Sequence, residues 1–348
     1  MTLKFRHIVV AFLACLLSFS FYAQAQKKKE KGKDAAAPSE KKAKAIESAA
    51  ALPAVLWREP TDIATRDLYY GQGGKEQAPQ GKFTFVEEDP GGSNPKFEVK
   101  DESGQRWKVK LGEESQPETV ASRLIWAVGY FTDEDYYLPE MRVEGMPKLK
   151  RGQSKVSSDG TVRGARLERH VKGQKTLGNW SWFDNPFNGT KELSGLKVMM
   201  GLINNWDLKE VNNKIYLEKD TERRYVVSDL GAAFGKTGNT SSRSKGDLED
   251  YVKSKFIARV NAQSVDFDFH SRPSFLFRVK GDYYKERADM EKIMMNIPRA
   301  DAKWIGSVLG QLSEKQISDA FRSAGYGPAE VSGYTRKVME RIAELNKL

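Results

Sequence analysis

The residues best equipped for chemistry are Lys110, the segment Asp207-Leu-Lys-Glu-Val-Asn212, and Asp229-Leu-Gly231. Two carboxylates and an amide are hard oxygen donors, which suit Mg²⁺ or Mn²⁺ better than zinc. A carboxylate can also orient an attacking hydroxyl, and a lysine can neutralise phosphate charge. Asp207 and Asn212 fall in a turn between an apolar helix-like segment and a strand, where side chains can converge on a cleft. Asx residues also favour turns for local reasons. Asn213 is a neighbouring amide, but only Asn212 lies five residues after Asp207. Asp229 ends the strand-like run Tyr225-Val-Val-Ser228, and Gly231 lets the chain turn and approach a ligand closely.

Three short strands are expected to carry Lys110. Phe83-Thr-Phe-Val86, Phe97-Glu-Val-Lys100 and Arg106 to Leu111 are separated by turn-rich segments. In the third, Trp107, Val109 and Leu111 share one face while Lys108 and Lys110 share the other. Gly91, Gly92 and Ser93 sit between the first two strands, where glycine-freed amides can cradle phosphate oxygens; a plain hairpin turn uses the same residues. A helix follows, capped by Ser115 or Gln116 with Pro117 in its first position, and Val120, Leu124, Ala127 and Val128 form its apolar stripe. Its acidic start offers Lys110 a partner. Glu118 is the first choice, with Glu113 and Glu114 as alternatives, although Glu118 also suits the helix dipole.

Strands at Tyr136–Val143 and Thr161–Arg169 complete a small mixed lobe, with Arg166 to Arg169 a candidate for the stretch that leads to a nucleotide-base pocket read by backbone. From about Gly178 the character changes. Leu196–Ile203 is a buried helix, Ile215–Leu217 and Tyr225–Val227 are short strands, and the remainder is mostly helical. Ser313 and Gln316 form a capping box, Gly325 ends that helix and Pro328 opens the last. The expected organisation is a signal peptide at 1–25, a Lys/Ala-rich disordered linker at 26–55, an N-lobe at 56–175 and a C-lobe at 176–348.

Lys4 and Arg6, the apolar run Ile8–Phe21 and Ala23-Gln-Ala25 make a secretory signal with cleavage after Ala25, so the mature chain is expected in the periplasm or outside the cell. The apolar run is shorter than the ~20 residues a membrane span needs, and no second run follows. Cys15 is the only cysteine, and His170 and His270 the only histidines beyond the signal. Disulfides, thiolate nucleophiles and Cys-ligated zinc are thereby excluded from the mature chain, and two histidines argue against a histidine metal cluster or a serine–histidine triad. Of the formal charge of +10, the signal supplies +2 and residues 26–47 supply +4, from eight lysines against four acids. The basic character lies in a tail, not in a nucleic-acid-binding face; the tail reads first as a solvated spacer, with contact to an anionic envelope surface as the alternative.

Together, Trp107-Lys-Val-Lys-Leu111, Glu118, Asn205-Trp-Asp207…Asn212 and Val227-Ser-Asp229-Leu-Gly-Ala-Ala-Phe-Gly235 resemble the atypical branch of the protein-kinase-like superfamily, near HipA-type, secretory-pathway and phosphoinositide kinases. The resemblance implies an α+β, two-lobed fold with a small antiparallel-sheet N-lobe and a mainly helical C-lobe. It implies ATP or another nucleoside triphosphate as co-substrate, with Mg²⁺ or Mn²⁺. Lys110 would sit on the phosphates and Glu118 would orient it. Asp207 would position the attacking hydroxyl, Asn212 and Asp229 would hold metal, and Gly91, Gly92 and Ser93 would cover the phosphates. The acceptor is open among protein, lipid and small molecule; a nucleotide-binding pseudokinase or a non-catalytic envelope-binding protein is the alternative. Trp206 stands where a basic residue often precedes the catalytic aspartate, and Leu230 where phenylalanine is more familiar.

Overall fold

Alternation in Arg106–Leu111 dictates a strand with one apolar face, and that face needs a closed core to bury it. The computed structural model describes residues 46–92, 94–238, 243–269 and 281–348. It divides into two units, Met1–Ala51 and Leu52–Leu348. In the first, residues 46–49 form a helical turn; the expected signal and most of the expected linker lie outside the described residues.

Strands β2 (Phe83–Asp89), β3 (Lys96–Lys100), β4 (Arg106–Leu111), β5 (Asp135–Glu144) and β6 (Thr161–Arg169) close into a barrel in the order β2-β3-β4-β6-β5. The antiparallel sheet of the small lobe closes on itself: β2 and β5 pair in parallel, Phe83 with Val143, and that pairing shuts the barrel. Phe97, Val99, Trp107, Val109, Leu111, Val162 and Leu167 fill it.

Helix α1 (Ser115–Ala127) begins earlier than the sequence suggests. Glu114 is its N-cap without a side-chain capping bond, so Pro117 occupies the third helical position. Its apolar residues Val120, Ala121, Leu124 and Ile125 pack in the large core of the second lobe, not in the barrel. Gln116 Nε2 donates to Ala324 O at 3.0 Å, fixing the start of α1 to that lobe.

Strands β1 (Ala54–Val55), β7 (Lys175–Gly178), β8 (Asn213–Glu218) and β9 (Glu222–Val227) form a four-stranded sheet in the order β1-β9-β8-β7. The mainly helical lobe contains α2 (Lys191–Leu202), α3 (Leu248–Lys253), α4 (Gly281–Ile293), α5 (Arg299–Leu309), α6 (Glu314–Ser323) and α7 (Pro328–Asn346). A small sheet of β10 (Ile257–Val260), β11 (Ser264–Phe267) and β12 (Ile297–Pro298), not anticipated from sequence, lies among them. The Ser313–Gln316 capping box is present, and Pro328 opens α7. This is the two-lobed α+β architecture expected from the resemblance. Among the described residues, no helix is long and apolar enough to cross a membrane.

Candidate active site

Lys110 is placed by β4 with its side chain outside the barrel core, yet only 4 % of the residue is exposed because α1 covers it. Its ammonium meets three carboxylates: Glu114 Oε2 at 2.7 Å, Glu118 Oε2 at 2.8 Å and Asp229 Oδ1 at 2.5 Å. Burial pulls the Lys110 ammonium down, but Glu118, Asp229 and Glu114 outweigh it and hold its pKa above the ordinary value. Lys110 is therefore a permanent cation. Of the three sequence candidates for its partner, Glu118 and Glu114 both reach it, and Glu113 is exposed.

The carboxylates are themselves shared with other cations. Arg166 Nη2 lies 3.3 Å from Glu118 Oε1, and Arg166 Nε donates to Asp135 Oδ2 at 3.1 Å. Asp135 also accepts from Arg123 at 3.0 Å. The side chain of Arg166 thus turns into a buried charge chain behind Lys110, a role that its position on the strand did not suggest. Burial raises the Glu114 carboxyl, but Lys110 and Lys245 together pull it down to about 2.

Asp229 follows β9 with φ 51°, a left-handed conformation that aspartate tolerates better than most side chains. Gly231 is required by close approach to protein: a Cβ there would meet Glu114 Cβ at 2.4 Å. The chain after Asp229 can pass the start of α1 only as glycine.

Asp207 and Asn212 are brought together by the turn. Asn212 Nδ2 donates to Asp207 O at 2.8 Å, so the acceptor left on that side chain is Oδ1. Ser228 N donates to Asn212 O at 2.9 Å, and Asn213 pairs with Val227 across β8 and β9. These bonds set Asn212 beside the residue preceding Asp229. Lys209 Nζ lies 3.2 Å from Asp207 Oδ1. In the sequence its only signal is its place two residues after Asp207.

The loop bearing Asp207 is tied to the segment after Asp229. Phe234 N donates to Ile203 O at 2.8 Å, Trp206 N to Ala232 O at 3.2 Å, and Asn204 Nδ2 to Gly235 O at 2.6 Å. Phe234 is itself left-handed, with φ 53°, and fully buried against Tyr251, Phe321 and Tyr334. A bulky residue persists there only because its surroundings dictate it. Trp206 Nε1 donates to Ser244 O at 2.8 Å, and Arg243 lies over its ring at 3.9 Å. The tryptophan in the position of the usual basic residue therefore pins this segment directly.

Gly91 and Gly92 lie at the end of β2, with Gly92 at φ 72°. Gly91 N donates to Asp89 Oδ1 at 2.7 Å, so that expected phosphate-facing amide is engaged within the loop. Arg151 grips the carbonyls of Gly92, Gly91 and Asp89 at 2.8, 3.0 and 3.2 Å. Ser93 lies outside the described residues. Asn94 Nδ2 donates to Glu114 Oε2 at 2.5 Å, joining the loop to α1.

Glu114, Glu118 and Asp229 offer oxygens within 4.8 Å of one another, as a metal centre would. The Lys110 ammonium binds all three, so the cation of that cluster is the lysine. The carboxylate of Asp229 and the amide oxygen of Asn212 are oxygens of the hard kind that suits Mg²⁺ or Mn²⁺.

No known protein family matches the chain, and no curated protein matches it. Among solved structures it is similar to the proinflammatory kinase CtkA of Helicobacter pylori, at 10% identity and a TM-score of 0.45, over 76% of this chain and 95% of that one. It is also similar to the Golgi casein kinase with Mn/ADP bound, at 10% identity and a TM-score of 0.34, over 78% of this chain and 73% of the other. At such scores the likeness carries no weight on activity, which has to rest on the residues.

Proposed function

We propose that the chain is a kinase-like phosphotransferase that moves the γ-phosphoryl group of a nucleoside triphosphate to a hydroxyl acceptor. The observation that carries this reading is the meeting of Lys110, Glu118 and Asp229, from a barrel strand, a helix and the end of a distant strand, within 2.5–2.8 Å. A lysine buried among carboxylates is costly unless its charge has work to do, and structural ion pairs of this kind are often replaceable by apolar packing.

In this reading Lys110, oriented by Glu118, answers phosphate charge. Asp229 and the Asn212 carbonyl would hold Mg²⁺ or Mn²⁺, which when bound supplies charge neutralisation on the phosphates. Asp207 accepts the proton of the attacking hydroxyl or orients it, with Lys209 fixing the carboxylate. The acceptor is a protein, lipid or small-molecule hydroxyl, and export by residues 1–25 would place the reaction outside the cytoplasm.

The test is transfer from γ-labelled ATP and GTP, each with Mg²⁺ and with Mn²⁺, to the protein itself and to protein, lipid and small-molecule acceptors. Label transfer abolished by Asp207→Ala supports the reading. Nucleotide binding without transfer to any acceptor points to a pseudokinase, and absence of binding overturns both.

A further inference from the structure

Lys110 does not face the glycine-containing loop alone. In the register of the barrel, Lys96 on β3 pairs directly with Lys110 on β4, and with Asp89 on β2. Phe97 and Val99 point into the barrel core, so Lys96 lies on the opposite face, the one that carries Lys108 and Lys110. Its ammonium sits directly under the loop: a Cβ added to Gly92 would lie 2.9 Å from Lys96 Nζ.

The three lysines of this face are answered unequally. Lys110 has three carboxylates around it. Lys108 lies between Glu98 and Glu168 in the register. Lys96 is half-buried, and among the described residues its ammonium forms no hydrogen bond or ion pair. Burial, with the neighbouring charges of Lys108 and Lys110, holds its pKa below the ordinary lysine value, against the weaker opposing pull of Asp89 and Asp229. A desolvated cation beside other cations is unfavourable by itself, and an anion entering between the loop and Asp229 would relieve it.

We infer that Lys96 is a phosphate-binding residue, gripping the phosphate chain from beneath the loop while Lys110 holds it from the floor. This rests on the phosphotransferase reading for the identity of the ligand, and adds a second cation whose charge is not already spent on carboxylates. The ligand class is a linear polyphosphate, free or as part of a nucleoside triphosphate.

The test uses the full mature chain and its Lys96→Met, Lys96→Arg and Lys100→Met variants, titrated with inorganic tripolyphosphate, ATP and adenosine in the presence of Mg²⁺. Lys100 is an exposed lysine of the same strand and serves as the charge control. Lys96→Met is expected to weaken tripolyphosphate and ATP at least about tenfold, as loss of a charge-assisted hydrogen bond does. Adenosine binding should be unchanged, Lys96→Arg should largely restore affinity, and Lys100→Met should match the wild type. Wild-type affinity for ATP in Lys96→Met overturns the assignment while leaving the phosphotransferase reading intact. An equal loss of adenosine binding marks a structural role and also overturns it. A wild-type chain that binds neither tripolyphosphate nor ATP overturns both.

Discussion

Lys245 Nζ lies 2.8 Å from Glu114 Oε1, across 131 residues of chain. The other oxygen of Glu114 serves Lys110 at 2.7 Å and Asn94 at 2.5 Å. One carboxylate at the start of α1 therefore joins the loop after β2, the buried lysine and the segment that follows Asp229. Lys245 takes up part of the negative charge that would otherwise fall on Lys110 alone.

That sharing predicts coupling. Lys245→Met and Glu114→Gln should each lower transfer activity, and together they should cost less than the sum of the two. An interaction term of about 1–3 kcal/mol in a double-mutant cycle is expected for groups in direct contact within one network. Strict additivity would show that the ion pair is incidental.

Stability at low pH should report Glu114. Its carboxyl is held at about 2, against an ordinary value of 4.5, by Lys110 and Lys245 acting against burial. Between those values the unfolded chain binds the extra proton, so the contribution is complete above about pH 4.5 and disappears as pH falls toward 2. Its full size is on the order of 3 kcal/mol. Denaturant midpoints of Glu114→Gln should be flatter than wild type across this window; identical slopes would contradict the assigned pairing.

Asp207→Ala should separate turnover from binding. Loss of a positioned carboxylate removes orientation of the hydroxyl in the transition state, with a fall of about 10²-fold or more in kcat. ATP affinity by calorimetry should remain within about threefold, because Asp207 makes no ground-state nucleotide contact in this reading. Equal losses in both measurements would remove Asp207 from its assigned role.

Asp229→Asn should abolish metal-dependent nucleotide binding while the fold survives. Asparagine tolerates the left-handed backbone at this position, and Lys110 keeps Glu114 and Glu118. The expected readout is lost stimulation of ATP binding by Mg²⁺ and Mn²⁺, with a native circular dichroism spectrum. Metal stimulation equal to wild type would make Asp229 a partner of Lys110 only.

The mature chain is expected to begin at Gln26. Intact-mass measurement on protein from the native envelope fraction checks this, and a retained apolar segment or a lipid on Cys15 would overturn it.

The strand faces of the barrel were legible because apolar and charged residues alternate there, and alternation is local. The same local pattern placed Lys110 outside the barrel core and Glu118 in the first turn of α1. Barrel closure was not legible, since the Phe83–Val143 pairing joins strands far apart in sequence. Nor was the part played by Lys245 or Arg151: each reaches the site from a segment whose own composition reads only as a polar loop. Lys96 was hidden differently. A lysine on a strand is ordinarily solvated, and only the register opposite Lys110, together with the Gly92 backbone above it, distinguishes this one. The close approach that Gly231 permits was legible, but Glu114 as its neighbour was not, because nothing in the sequence says that Glu114 passes beside it.

Strands β1 and β7 flank the barrel in the chain, yet both belong to the sheet ordered β1-β9-β8-β7. The chain entering and leaving the barrel is thus anchored at the two opposite edges of one sheet, in addition to the ties made by Gln116 with Ala324, Lys110 with Asp229 and Glu114 with Lys245. The β1 edge is the shorter anchor, two residues paired with Arg223 and Arg224, so under load it would release before the β7 edge. Applied force on this chain should therefore produce a small early yield at the β1 edge, ahead of any loss of the barrel.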